Sequence, residues 1–172
     1  IAKMMTRPYS AAALPIAHSV LRILIVLNWL FGAGILALLI ATFVAETWTF
    51  KALGVAASAI PDMKLGMRAI PVLGLVAIPL NDLVLRRMRV IVETVRGRDP
   101  FVVANADRLQ AIAWALLALQ LLSMVIGGVA DAISTPAHPL HLDAGFSVAG
   151  WLAVLLTFVL ARAVAEGARM RE

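Results

Sequence analysis

Histidine and acidic side chains are the groups in this sequence best suited to binding a metal ion or a haem. Paired histidines within a membrane span could supply axial haem ligands, but His18 precedes the first long apolar run and His138 and His141 follow the third. His138, His141 and Asp143 carry imidazole and carboxylate groups, which suit a divalent cation. Because this stretch is rich in proline and has no regular pattern, we expect a solvated loop rather than a metal site. No cofactor is predicted.

Asp82 is the acidic residue that lies within an apolar run. A carboxylate inside a membrane is costly and suggests a function such as transport. Asp82 stands four residues before Arg86, however, so we expect an ion pair between them near the membrane boundary. The neutral polar residues Asn28, Gln110 and Gln120 are expected to form hydrogen bonds between helices, although a transport pathway would use similar side chains.

Catalytic motifs are absent from the sequence, which contains no H-E-x-x-H, G-x-S-x-G or P-loop pattern, and we expect no enzyme. The stretch Gly32–Ala37 fits G-x-G-x-x-A, but a dinucleotide site needs a preceding strand and this stretch lies within an apolar run. We interpret the small residues as faces for close packing within the chain or against a partner helix. These residues are Gly32, Gly34, Ala37, Gly150, Thr157 and Ala161.

The composition indicates that lipid surrounds much of the chain. Of its 172 residues, 62% are hydrophobic and 15% are charged, and the mean hydropathy is +0.95. A soluble domain is about 45–50% apolar and about 25% charged. The apolar excess sets aside a soluble enzyme, and the absence of cysteine excludes disulfides and thiolate metal sites.

Four apolar runs are near the length of about 20 residues that crosses a bilayer as a helix. They are Ile23–Ala45, Ala69–Leu85, Leu109–Ala130 and Ala144–Ala161. The sequence therefore predicts an all-α polytopic membrane protein, a four-helix bundle in one domain over residues 1–172. The predicted helices are 23–45, 69–96, 106–130 and 144–168, and Pro71 or Pro79 is expected to kink the second one.

Basic residues are concentrated on one side of this topology, which holds 12 of the 15. They are Lys3, Arg7 and Arg22 before the first helix, Arg86, Arg87, Arg89, Arg96, Arg98 and Arg108 between the second and third, and Arg162, Arg169 and Arg171 in the tail. The positive-inside rule then places both termini in the cytoplasm, and we expect the bacterial inner membrane. The same rule explains the positive charge without direct nucleic-acid binding.

The segment between the second and third helices is the most patterned part of the sequence. Arg89 and Glu93 are four residues apart and should pair on a helix surface, and Asn105 is expected to be the N-cap of the third helix. The cluster Arg86–Arg98 attracts anionic lipid headgroups and could also bind an acidic protein partner.

Two stretches carry a resemblance to a known family. They are G-R-D-P-F-V-V-A-N-A-D-R-L-Q-A-I-A-W (Gly97–Trp114) and F-V-L-A-R-A-V-A-E-G-A-R-M-R-E (Phe158–Glu172). From Val84 onward the chain resembles small bacterial membrane proteins grouped as domain of unknown function 2975. The resemblance implies four transmembrane helices, no established activity, and a polar tail beyond Glu172. Many members are encoded beside a helix-turn-helix regulator, which suggests a membrane partner for a transcription factor.

Three functional hypotheses follow from these patterns. The first is a non-enzymatic regulatory protein that binds a cytoplasmic helix-turn-helix regulator. The second is an accessory or structural subunit of a larger membrane complex. The third is a small transporter that uses Asp82, and it is the weakest because no inverted repeat is visible.

Overall fold

Five helices make up the part of the chain that the computed structural model describes, which is residues 10–52, 61–96, 103–134 and 144–170. They are α1 (Ser10–Val44), α2 (Glu46–Ala52), α3 (Pro61–Arg96), α4 (Val103–Ile133) and α5 (Val148–Arg169). All except α2 are long and apolar enough to cross a membrane. The expected all-helical class is therefore confirmed for the described residues, and the four long helices fit a multi-pass membrane protein.

The helices begin at different residues from those predicted. α1 begins at Ser10 and α3 at Pro61, well before the apolar runs, because a helix can continue past the hydrocarbon boundary. Pro61 suits the first position of a helix, where no backbone N–H is needed. α5 begins after Ser147, whose hydroxyl accepts a hydrogen bond from the Gly150 N–H at 3.1 Å.

α3 is a single helix of 36 residues that includes both Pro71 and Pro79. A proline removes one backbone donor, and membrane helices tolerate it where neighbouring groups supply other hydrogen bonds. The expected kink stays a prediction.

The four long helices pack in chain order as a row. α1 contacts α3, α3 contacts α4, and α4 contacts α5. Between the described segments, no Cα atoms within 8 Å join α1 to α4 or α5, or α3 to α5. In an apolar stretch of 18 residues within each helix, 28% of the residues are buried in α4, against 6% in α1. α4 is thus an interior helix of the row, and α1 is an edge helix with one packed face.

A close seam joins α1 to α3. Its α1 residues include Asn28, Gly32, Ile35 and Thr42, which are four, three and seven positions apart, as expected when two helices pack lengthwise. A Cβ atom on Gly32 would lie 3.1 Å from side-chain atoms of Ile78. The missing side chain therefore lets the two helices approach closely.

Candidate functional site

The clearest cluster of charge lies where α1 and α4 begin and where α3 and α5 end, which we call the arginine-rich end. Asp82 lies within one helical turn of this cluster. Its Oδ2 accepts a hydrogen bond from Arg86 Nε at 2.7 Å, so the predicted ion pair is confirmed. Its Oδ1 accepts a second bond from Trp29 Nε1 at 3.0 Å, which links α3 to α1. Both carboxylate oxygens thus have donors.

Arg89 and Glu93 form the predicted i,i+4 pair, with Nε and Oε1 3.3 Å apart. His18 of α1 joins them, because its Nε2 lies 3.1 Å from Glu93 Oε1 and 3.1 Å from Arg89 Nε. One ring nitrogen cannot donate to Glu93 and accept from Arg89 at the same time, so the tautomer of His18 decides which bond forms. This cluster fastens α1 to α3 outside the apolar spans.

The arginines of the predicted cluster Arg86–Arg98 differ in whether a carboxylate neutralises their charge. Arg86 and Arg89 are paired with carboxylates, whereas Arg87 makes no hydrogen bond or ion pair with the described residues. Arg22 of α1 and Arg162 of α5 likewise have no such partner in the described segments, and all three side chains are exposed. The side chain of Arg96 and all of Arg98 lie outside the described residues. Three exposed guanidinium groups from three helices therefore remain available at this end.

Asn105 is not the N-cap of its helix, because α4 already begins at Val103. It is 1% exposed and lies against α3, where its Nδ2 donates to Thr94 Oγ1 at 2.8 Å. The Thr94 hydroxyl lies 2.7 Å from the carbonyl oxygen of Ile91, to which it can donate, and Arg108 Nη1 donates to Asn105 Oδ1 at 2.7 Å. Asn105 thus holds the ends of α3 and α4 together.

A second polar cluster lies at the opposite end of the row. Lys64 Nζ donates to Glu46 Oε1 at 2.8 Å, and Arg68 Nη2 lies 3.4 Å from Glu46 Oε2. The hydrogen bond and charge of Lys64, with a smaller effect of Arg68, hold the pKa of Glu46 below its usual value of 4.5. Arg68 also donates to the carbonyl oxygen of Thr42 at 2.8 Å and lies 4.3 Å from the ring centre of Phe43. This cluster ties the end of α1 to the beginning of α3.

Two of the polar residues predicted within the spans form hydrogen bonds to another segment, Asn28 to α3 and Gln120 to the stretch before α5. Asn28 Nδ2 donates to the carbonyl oxygen of Ile78 at 3.0 Å, and Gln120 Nε2 donates to that of Gly145 at 3.3 Å. Ser123 Oγ accepts from the Gly145 N–H at 3.1 Å. Gly145 has a φ of 125°, a conformation that favours glycine. Asn28 and Gln120 therefore act as packing residues.

The predicted small-residue faces divide into packed and open positions. Gly150 lies directly against the side-chain amide of Gln120, and Ala161 is buried at 7% exposure. Thr157 donates to the carbonyl oxygen of Ala153 within its own helix at 2.7 Å. A Cβ atom on Gly34, in contrast, would meet nothing within 4 Å. Gly34 is therefore open to an external partner.

The weak metal candidates His138, His141 and Asp143 lie outside the described residues. Among the residues described, no group of three or more histidine, aspartate or glutamate side chains is placed to hold a metal ion. The comparisons with known proteins returned no match, whether to a family model, a curated protein or a solved structure.

Sequence reasoning missed three contacts between helices. The bonds of Trp29 to Asp82 and of His18 to Glu93 join residues 53 and 75 positions apart. The only signal in the sequence for these two bonds is that the residues of each pair lie near the ends of apolar runs. The pairing of Asn105 with Thr94 was within reach, because both lie close to the turn between two predicted helices.

Proposed function

We propose that the protein is a non-enzymatic membrane protein that acts through contacts with other proteins, with its arginine-rich end facing the cytoplasm of a bacterium. The observation that carries the proposal is a set of exposed arginines at that end with no hydrogen bond or ion pair to the described residues, namely Arg22, Arg87 and Arg162. The concentration of basic residues on this side supports the cytoplasmic orientation. An acidic protein surface is the partner that such charges would bind.

A soluble helix-turn-helix regulator is the cytoplasmic partner that the family resemblance favours. The braced hairpin of α3 and α4 supports this role, since Asn105 and Thr94 fix the direction in which both helices leave the membrane. This bond between α3 and α4 would hold Arg87 at a constant position relative to the membrane. Contact with nucleic acid is not part of the proposal.

The experiment is a pull-down of the tagged chain from its native membranes in mild detergent, followed by mass spectrometry. We expect a soluble helix-turn-helix protein in stoichiometric amount. Arg87→Gln should reduce it severalfold, whereas Arg86→Gln is the matched control, because Arg86 is already paired with Asp82. Equal loss in both variants would indicate general attraction to anionic lipid, and retention of the chain alone would contradict the proposal.

An accessory subunit of a larger membrane complex is the second candidate function. The one-sided packing of α1 favours it. Only 6% of the residues in its 18-residue apolar stretch are buried, so the helix offers most of its surface to other helices. Here the same pull-down would retain a fixed set of membrane subunits that survives Arg87→Gln. The transporter hypothesis gains no support, since both oxygens of Asp82 are occupied and the described helices form a single row with no pathway enclosed between them.

A further inference from the structure

A groove of about 440 Å³ lies between α4 and α5 at the arginine-rich end, and its volume is in the range of ligand-binding clefts. Asp107 and Gln110 of α4 and Arg162 of α5 line it, together with Phe158 and several small apolar side chains. All three polar side chains are exposed, and none has a hydrogen bond or ion pair with a residue that the structure describes. Asp107 and Arg162 thus bring opposite charges to one groove without pairing with each other.

The lining residues lie at three levels along the two antiparallel helices. Trp114 of α4 and Phe158 of α5 pack edge to face, with their ring centres 5.4 Å apart, and define the innermost level. Gln110 and Arg162 each lie four residues, about 6 Å, closer to the arginine-rich end. Asp107 lies three residues beyond Gln110, about 4.5 Å farther out. From the aromatic pair outward, the groove therefore presents a cation with an amide and then a carboxylate.

These levels cross the boundary between the hydrocarbon and the headgroups of a bilayer. The uncharged runs of the two helices end at Leu109 and Ala161, directly beside the lining charges, and the aromatic pair lies within those runs. The direction of each helix separates the charges further, because a Cα–Cβ bond tilts toward the N-terminus of its helix. α4 begins at this end and α5 ends there, so this bond tilts outward at Asp107 and inward at Arg162.

We propose that the groove binds a phospholipid whose phosphate carries a primary ammonium group, phosphatidylethanolamine, with the phosphate at Arg162 and Gln110 and the ammonium group at Asp107. In this lipid the phosphate follows the glycerol and the ammonium group lies beyond it, so its charges are negative and then positive from the acyl chains outward. The groove presents the complementary order. The guanidinium and amide groups donate to phosphate oxygens, and the ammonium group donates to the carboxylate.

The same chemistry distinguishes this lipid from others. The quaternary nitrogen of phosphatidylcholine has no hydrogen to donate to Asp107, and phosphatidylglycerol has no positive charge to place there. A headgroup taken up from water would meet the charges but would leave the aromatic pair without acyl chains. The site goes beyond the contact with another protein proposed above and does not rest on it, because it engages Arg162 and leaves Arg87 exposed.

Native mass spectrometry of the full chain in mild detergent tests the preference. Phosphatidylethanolamine, phosphatidylcholine and phosphatidylglycerol with identical acyl chains are added in equal amounts, at physiological ionic strength to screen general attraction between charges. We expect the first lipid to bind about threefold more than either of the others, the effect of one partly exposed ion pair. Equal binding of all three, a preference for phosphatidylglycerol, or no bound lipid would overturn the proposal.

Two charge variants with matched controls assign the contacts. Asp107→Asn should remove the preference over phosphatidylcholine, whereas Asp131→Asn, which neutralises an exposed carboxylate near the other end of α4, should keep it. Arg162→Gln should lower the binding of all three lipids about threefold, because each has a phosphate, and Arg22→Gln on α1 should have no effect. Equal effects of a variant and its control would show general attraction to charge and would contradict the site.

Filling the groove tests its location without a change in charge. Ala165 lines the groove and Ala163 lies exposed on the same helix, so Ala165→Leu should lower lipid binding severalfold and Ala163→Leu should not, with equal helix content by circular dichroism. Equal binding in the two variants would refute the location. Glycerophosphoethanolamine, the same headgroup without acyl chains, should fail to displace the lipid even in large excess. Displacement would show that the groove takes the headgroup from water, which would contradict a lipid site.

Discussion

Asn105 offers the sharpest test of how the arginine-rich end is held together. Its side chain is 1% exposed and joins Thr94 of α3 to Arg108 of α4. A neutral buried hydrogen bond contributes about 1 kcal/mol, and one to a charged donor about 1.5–3 kcal/mol. Arg108 is half-exposed and recovers part of its bond from water. We therefore expect Asn105→Ala to lower the free energy of unfolding by about 2 kcal/mol.

The assay is unfolding in mixed micelles by increasing sodium dodecyl sulfate, followed by far-ultraviolet circular dichroism. Asn105→Asp is the matched control. A carboxylate of nearly equal size loses the Nδ2 donor but keeps the acceptor for Arg108, and it can accept from the Thr94 hydroxyl, whose oxygen lies 3.1 Å from Asn105 Oδ1. We expect it to cost less than about 1 kcal/mol. An alanine variant as stable as the natural chain, or aspartate as damaging as alanine, would refute the proposed bracing role.

The remaining predictions concern single contacts elsewhere in the row. A Cβ atom on Gly127 would lie 2.9 Å from backbone atoms of the segment before α5, so Gly127→Ala should lower the thermal midpoint by several degrees, whereas Gly128→Ala, in open space, should leave it unchanged or slightly raised. Because the pKa of Glu46 is held below 4.5, its ion pair stabilises the fold above pH 4.5 and loses this effect as the pH falls through the lowered value. Chemical unfolding across pH 3–7 should show that loss in the natural chain and not in Glu46→Gln. Asp82→Asn should cost less than about 1 kcal/mol in the micelle assay, because its Arg86 partner is 62% exposed, and a much larger loss would show that Asp82 does more than pair.

The membrane class could be predicted from the sequence because it depends on composition and run length alone. The ends of the helices could not be predicted in this way. An apolar run shows which residues lie in the hydrocarbon core of the bilayer, whereas backbone hydrogen bonds decide where the helix begins and ends. α1 thus extends back to Ser10, and α5 begins where Ser147 can cap it, after the apolar run has already started.

Local charge pairs were predictable where the spacing is helical, as for Asp82 with Arg86 and Arg89 with Glu93. The single-row packing was not, because it depends on which faces of different helices meet. Asn105 shows the difference. Its residue type suits an N-cap, but the helix begins two residues earlier and the side chain binds Thr94 instead.

The measurement that tests the proposed function most directly is the native pull-down of the natural chain beside its Arg87→Gln and Arg86→Gln variants. We expect a stoichiometric cytoplasmic protein that is retained by the natural chain and by Arg86→Gln and is depleted severalfold by Arg87→Gln. Recovery of the chain with lipid alone, in all three preparations, would contradict a function through contacts with other proteins.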